Sequence, residues 1–346
     1  MTLASDRKET TRPHQLQMFQ LERQTTRGTI PIGFKRNRKA IPAFPITRPT
    51  YEEAWEDFIA LTNLTIPISE GYWYSRSDVT GSLYIDIDKT GMKTSNYYHW
   101  IARMACDSVT SPSAMRSWYN HQFRKGVEAS IYYDQNPASA LSLRKYIPSQ
   151  FRPSAAKALI DHFGVETFYD PCGGWGDRLV AAQASEIEYY CRDVNPLVFS
   201  GYALQQHEFG GNVDFELKGA EVDAPIYNYF DMVFTSPPYY KIEKYQGDEQ
   251  SYKKYKTFDQ WVGSFLLPML EHALASLKPN GVLAINISDV YVDHRNNDLT
   301  TPVIDFITAN CTEVTYIGYR LNKRPNSNSA KHNGIFAEPI IIGRKR

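Results

Sequence analysis

From about residue 151 onward the chain alternates short apolar runs with longer segments of helical spacing, and no other feature of the 346 residues constrains the fold as strongly. Strand-like runs fall at Val165–Asp170, Glu188–Arg192, Val213–Lys218, Asp231–Thr235, Gly281–Ile287, Glu313–Arg320 and Phe336–Gly343. Helical patterns fill most of the intervals, at Pro153–Phe163, Asp177–Ala184, Pro196–Glu208, Thr257–Leu277 and Thr301–Asn310. This alternation predicts an α/β fold with a doubly wound, mostly parallel seven-stranded sheet, because strand-helix-strand units wind right-handed and cover both sheet faces. Ligands of such sheets bind beyond the carboxyl ends of the strands. The residues just after each strand are therefore the ones to read for function.

The region before residue 151 has a different character. Residues 1–30 are polar and without apolar periodicity, which reads as an arm. Residues 31–150 form an expected N-terminal α+β extension, Pro-rich at first and then dense in aromatic residues such as Tyr72-Trp73-Tyr74, Tyr97-Tyr98-His99-Trp100, Trp118-Tyr119 and Tyr132-Tyr133. Most of Trp55, Trp73, Trp100 and Trp118 are expected in a core. The formal net charge is zero, yet residues 1–150 hold 19 Lys+Arg against 14 Asp+Glu and residues 151–346 hold 19 against 24. A basic, aromatic front half suits a polyanion partner, with a solvated tail as the bland alternative.

Other classes recede. No apolar stretch is long enough for a membrane span and no signal-like segment follows Met1, so the expected compartment is the cytoplasm. Cys106, Cys172, Cys191 and Cys311 include no C-x-x-C pair, which argues against a zinc site or a disulfide framework. No metal is expected.

After the first strand of the alternating region comes Asp170-Pro171-Cys172-Gly173-Gly174-Trp175-Gly176-Asp177-Arg178. Its glycines allow a tight strand-to-helix turn and close approach of a ligand to the backbone. The next strand ends at Asp193, where a carboxylate can accept from ribose hydroxyls, and Glu221 follows the third. These features are generic to nucleotide-type cofactors. The fourth strand runs into Thr235-Ser236-Pro237-Pro238-Tyr239-Tyr240, where two prolines remove two N–H donors and leave carbonyls to accept from an exocyclic amine. The ring of Tyr239 can hold a flat base beside them.

At these residues the chain resembles the S-adenosylmethionine-dependent amino-methyltransferases, among them the DNA cytosine-N4 and adenine-N6 enzymes. Asp170-Pro171-Cys172-Gly173-Gly174-Trp175-Gly176 is similar to their D-P-F-x-G-x-G cofactor motif, with Cys172 replacing Phe. Ser236-Pro237-Pro238-Tyr239 is similar to their catalytic motif in its cytosine-N4 form, and Phe151 resembles the segment that closes over the methionine end of the cofactor. The resemblance covers 151–346. It implies a Rossmann-like methyltransferase sheet, S-adenosylmethionine held by Phe151, Asp170, Pro171, Cys172, Gly174, Gly176, Asp193 and Glu221, and a flipped-out DNA base held by Ser236, Pro237, Pro238 and Tyr239. Residues 31–150 are then the expected place for target recognition. Lys241–Tyr245, Tyr252–Lys256 and Asn322–Lys331 are further candidate substrate contacts. Adenine-N6, RNA or protein amino-methylation and a non-catalytic DNA-binding subunit stand as alternatives, and a partner restriction or phage-host system stays open.

Overall fold

The computed structural model describes residues 43–134, 136–322 and 334–346. The polar arm and nearly all of the candidate loop at Asn322–Lys331 lie outside the described residues. Thirteen strands are described: β1 Ser69–Tyr74, β2 Thr80–Ile85, β3 Asp107–Ser108, β4 Thr167–Asp170, β5 Glu188–Asp193, β6 Val213–Leu217, β7 Phe230–Thr235, β8 Glu243–Lys244, β9 Leu277–Asn286, β10 Val290–Val292, β11 Arg295–Asn297, β12 Cys311–Arg320 and β13 Ile335–Lys345. Nine of them form one sheet in the order β1-β2-β12-β13-β9-β7-β4-β5-β6. The pairs β5–β6, β4–β5, β4–β7 and β7–β9 are parallel, whereas β13 runs antiparallel to β9 and β12.

Side chains along the central strands alternate between two cores. Phe168, Met232 and Ala284 face the helices Pro153–Phe163, Asp177–Ala184 and Pro196–Phe209, while Tyr169, Val233, Leu283 and Ile285 face Phe258–Ser276 and Thr300–Asn310. Pro153 in its first turn and Gly164 in the left-handed region at its end bound the first of these helices. The segment expected as one helix over Thr257–Leu277 is split. Phe258–Trp261 passes through a wide π turn at Val262–Leu266 before the α-helix Leu267–Ser276. Pro268 gives the reason: it has no N–H to donate, and its ring would strike the carbonyl one turn earlier in a regular α-helix.

The expected seven strands become nine. The hairpin β1–β2 adds alongside β12, with Leu83, Tyr84 and Ile85 in parallel register with Ile317, Gly318 and Tyr319. An otherwise open edge of β12 is thereby paired. β1 also meets the start of β13, Trp73 opposite Ile335 and Tyr74 opposite Phe336, so β1, β2, β12 and β13 close on one another. Trp73 is wholly buried in that closure. A Cβ on either Gly81 or Gly318 would come within 2.7 Å of its indole. Of the other three tryptophans expected in a core, Trp118 is buried but Trp55 and Trp100 are only half-buried, so two of the four, not most, are buried.

Helices Ala114–Tyr119, His121–Asp134 and Pro137–Arg144 gather a small core of their own around Trp118, Val127 and Leu141. This unit is tied to the carboxyl side of the sheet, because β3 pairs with β8 and Val109 N donates to the Ile242 carbonyl at 2.9 Å. No helix of the described residues is long and apolar enough to cross a membrane.

Candidate active site

Strand β4 ends at Asp170, which is fully buried and hydrogen-bonded on both oxygens. Oδ2 accepts from Arg178 Nε at 2.6 Å and from the Tyr189 hydroxyl at 2.9 Å; Oδ1 accepts from Thr235 Oγ1 at 2.8 Å and Cys172 N at 3.2 Å. One carboxylate thus fixes the glycine turn to the end of β7. Arg178 extends the link, its two terminal nitrogens donating to the Cys172 carbonyl at 2.6 Å and to Ser236 Oγ at 3.4 Å. Its guanidinium also lies over the Phe151 and Phe234 rings.

The turn itself adopts positive φ at Gly174 and Gly176, 58° and 70°, a region that residues with a side chain rarely enter. Gly174 N donates to Asp193 Oδ2 at 2.8 Å, Asn195 N donates to Asp193 Oδ1 at 2.7 Å, and the Tyr202 hydroxyl donates to the Gly174 carbonyl at 2.5 Å. Burial pushes the Asp193 carboxyl up to about 6, against the pull of the backbone donors from Asn195 and Gly174. Cys172 is likewise pushed well above the usual thiol range by burial, which keeps it a thiol rather than a thiolate nucleophile.

A cleft, partly open to solvent, lies beyond the ends of β4, β5, β6 and β7. Pro171, Cys172, Gly174, Asp193, Glu221, Ser236 and Pro238 line it, so the glycine turn, two acidic positions and the Pro-Pro motif meet at one cavity. Five expected contacts do not line it. Asp170 is consumed by the partners above, and Gly176 packs on the buried His99. Phe151 is stacked on Tyr319 with ring centres 4.7 Å apart. Neither the half-buried Tyr239 nor the buried Pro237 lines the cleft. Glu221 is already engaged, by Lys254 at 2.7 Å and the Tyr255 hydroxyl at 3.3 Å.

At the motif, Ser236 Oγ donates to Asn286 Oδ1 at 3.1 Å, and the Tyr239 hydroxyl donates to Glu338 Oε1 at 2.7 Å. Burial pushes the Glu338 carboxyl up, opposed by hydrogen bonds from Tyr239 and Asn286 and by the charge of Arg76. Tyr240 follows with φ 54°, its N–H donating to the Pro238 carbonyl at 2.9 Å, a strained reversal that turns the chain back at the motif. Among the described residues no donor is bonded to the Pro237 carbonyl. Arg178, Tyr202, Asn286 and Glu338 were not singled out from sequence. Only Arg178, beside the glycine turn, carried a local signal.

The basic, tyrosine-rich segment after the motif is largely ion-paired. Lys241 meets Asp293, Lys253 meets Asp248 at 3.0 Å and Lys254 meets Glu221.

The cleft fits an adenosine-type cofactor such as S-adenosylmethionine. Space in front of Gly174 is open, the Cys172 carbonyl at 3.8 Å being the nearest atom to a Cβ built there, and Asp193 stands at the cleft wall where a ribose would meet it. Solved structures that resemble part of the chain include a methyltransferase from Pyrococcus furiosus, 20% identical, covering 63% of this chain and 97% of that one with a TM-score of 0.37. Another is the N-methyltransferase NodS from Bradyrhizobium japonicum, 12% identical, covering 55% and 94% with a TM-score of 0.36. No curated protein matches the chain. Residues 230–342, which carry Ser236–Tyr239, strands β7, β9 and β12 and most of β13, match a family model described as DNA methylase, one that takes the N6 and N4 types together.

Proposed function

We propose that the protein transfers a methyl group from S-adenosylmethionine to the exocyclic amine of a DNA base, cytosine N4 in the first instance. The observation that carries this reading is the convergence of Gly174, Asp193, Ser236 and Pro238 on one cleft, with the motif inside the stretch similar to DNA methylases. Gly174 and Asp193 would hold the cofactor, with Pro171 and Cys172 along its wall. When bound, that cofactor supplies a methyl group on a sulfonium.

The rest is the work of the chain. An amine on a pyrimidine or purine ring is a poor nucleophile, its lone pair being drawn into the ring. Ser236 Oγ donates to Asn286 and accepts from Arg178, which leaves it one lone pair for the amine, and the Pro237 carbonyl is a second acceptor. Two acceptors on one amine favour a pyramidal nitrogen aimed at the cleft. Tyr239, held through its hydroxyl by Glu338, would fix the ring plane. Catalysis is then positioning and electrostatics, without a covalent enzyme intermediate. A duplex base has to leave the stack to reach this site. The helical unit around Trp118, tied to the segment after Tyr239 through β3 and β8, would be the part of the N-terminal region that meets the DNA.

The test is incubation with methyl-labelled S-adenosylmethionine and DNA, digestion to nucleosides and chromatographic identification. Label in N4-methyldeoxycytidine is expected. Label in N6-methyldeoxyadenosine would move the base assignment, and transfer to RNA or protein alone would overturn the DNA reading.

A further inference from the structure

The methyl donor carries a positive charge on sulfur, and the methyl must sit about 3–3.5 Å from the amine nitrogen at the Ser236 end of the cleft. A charge brought into a partly buried cavity needs compensation there. The carboxylates nearby are already committed. Asp170 is paired with Arg178 at 2.6 Å, Glu221 with Lys254 at 2.7 Å, and both Asp193 oxygens take backbone N–H groups. Glu249 is exposed and faces Lys254 at 3.7 Å.

Three aromatic residues also line the cleft, Trp175, Tyr245 and Phe265, and of these Phe265 is buried in the core. Trp175 and Tyr245 line the same cleft as Ser236 and Pro238, their ring centres 5.8 Å apart at 63°. Indole and phenol faces attract cations, Trp most strongly. Tyr245 is further enriched, because its hydroxyl donates to Glu243, whose other oxygen takes the Tyr146 hydroxyl at 2.7 Å. A phenol that donates to a carboxylate has a more electron-rich ring.

We infer that Trp175 and Tyr245 are a sulfonium-recognising aromatic pair that makes the cleft prefer the charged methyl donor over its neutral thioether product. The inference rests on the cofactor reading above and deepens it. A cleft of this kind releases its product more readily than it releases its donor.

The test is calorimetric titration of the full chain, without DNA, using S-adenosylmethionine and S-adenosylhomocysteine separately. Trp175→Leu is expected to weaken binding of the charged donor about tenfold while binding of the thioether changes less than about twofold. Trp175→Phe keeps a ring and is expected to keep most of the preference; Tyr245→Phe, which cuts the link to Glu243, is expected to fall between. Equal weakening of both ligands in Trp175→Leu, or no change in either, overturns the inference. Should Trp175→Leu lose its cooperative melting transition, Tyr245→Leu supplies the same ratio of affinities: selective loss of the charged donor supports the pair, and equal or absent loss overturns it. Failure of the unaltered protein to bind either ligand would instead overturn the cofactor reading, and the inference with it.

Discussion

A Cβ on Gly201 would come within 2.4 Å of the His99 imidazole, so the helix Pro196–Phe209 can lie against the N-terminal helix Met92–Met104 only because residue 201 has no side chain. The same ring would meet a Cβ on Gly176 at 2.5 Å. His99 is therefore wedged behind the glycine turn. Gly→Ala within a helix ordinarily stabilises by about 0.5–1 kcal/mol. Here Gly201→Ala is expected to destabilise by about 1–3 kcal/mol, and adding His99→Ala is expected to offset part of that loss. Urea unfolding of the two single variants and the double variant checks it; a neutral Gly201→Ala would show that the contact is slack.

Burial depresses His99 from 6.5 to about 3, outweighing the opposing hydrogen bond with Gln205. The unfolded chain gains a proton below about 6.5 that the folded one refuses, so this contribution to stability is complete above that pH and is lost as pH falls toward 3. Relative to His99→Gln, the unaltered protein is expected to lose about 1.4 kcal/mol for each pH unit between 6 and 4. Parallel denaturation curves of both proteins at several pH values measure the difference. A pH-independent gap would mean that the imidazole titrates normally.

Arg178 and Asp170 form a buried pair, and removing one partner strands the other. Arg178→Met is expected to cost about 3–5 kcal/mol of stability, and Asp170→Asn in the same chain is expected to restore part of it. Thermal melts of the three variants test this. Full stability in Arg178→Met alone would show that Tyr189 and Thr235 suffice for the carboxylate.

Tyr239 does not line the cleft and is held by Glu338. Tyr239→Ala is accordingly expected to abolish methyl transfer while cofactor affinity stays within about threefold, and Glu338→Gln, which still accepts from the phenol, is expected to keep more activity than Glu338→Ala. Turnover and calorimetry together decide it, and lost cofactor affinity in Tyr239→Ala would place that ring in the wrong pocket.

Much of the architecture was legible because it is local. Pro153 and Gly164 mark the ends of their helix in the text itself, and the alternation of Phe168 with Tyr169 or Met232 with Val233 reports two covered faces. The hairpin β1–β2 was not legible. Gly71 and Gly81 interrupt its pattern, and its pairing with β12 joins residues more than two hundred positions apart. The same distance in sequence hid part of the site. Glu338 reaches Tyr239 across 99 residues and Asn286 across 47, and neither stands beside a motif. Glu221 shows the converse, a position legible as an acid at a strand end whose partner, Lys254, comes from a segment read as substrate-contacting.

The closure of β1, β2, β12 and β13 around Trp73 bears on whether the two halves of the chain can be separated. A stretch that gives the sheet two strands and fills the space above Gly81 and Gly318 is interlocked with the catalytic half, so it cannot be exchanged as a cassette by joining chains near residue 150. The two parts have to vary together, with the interlock left in place.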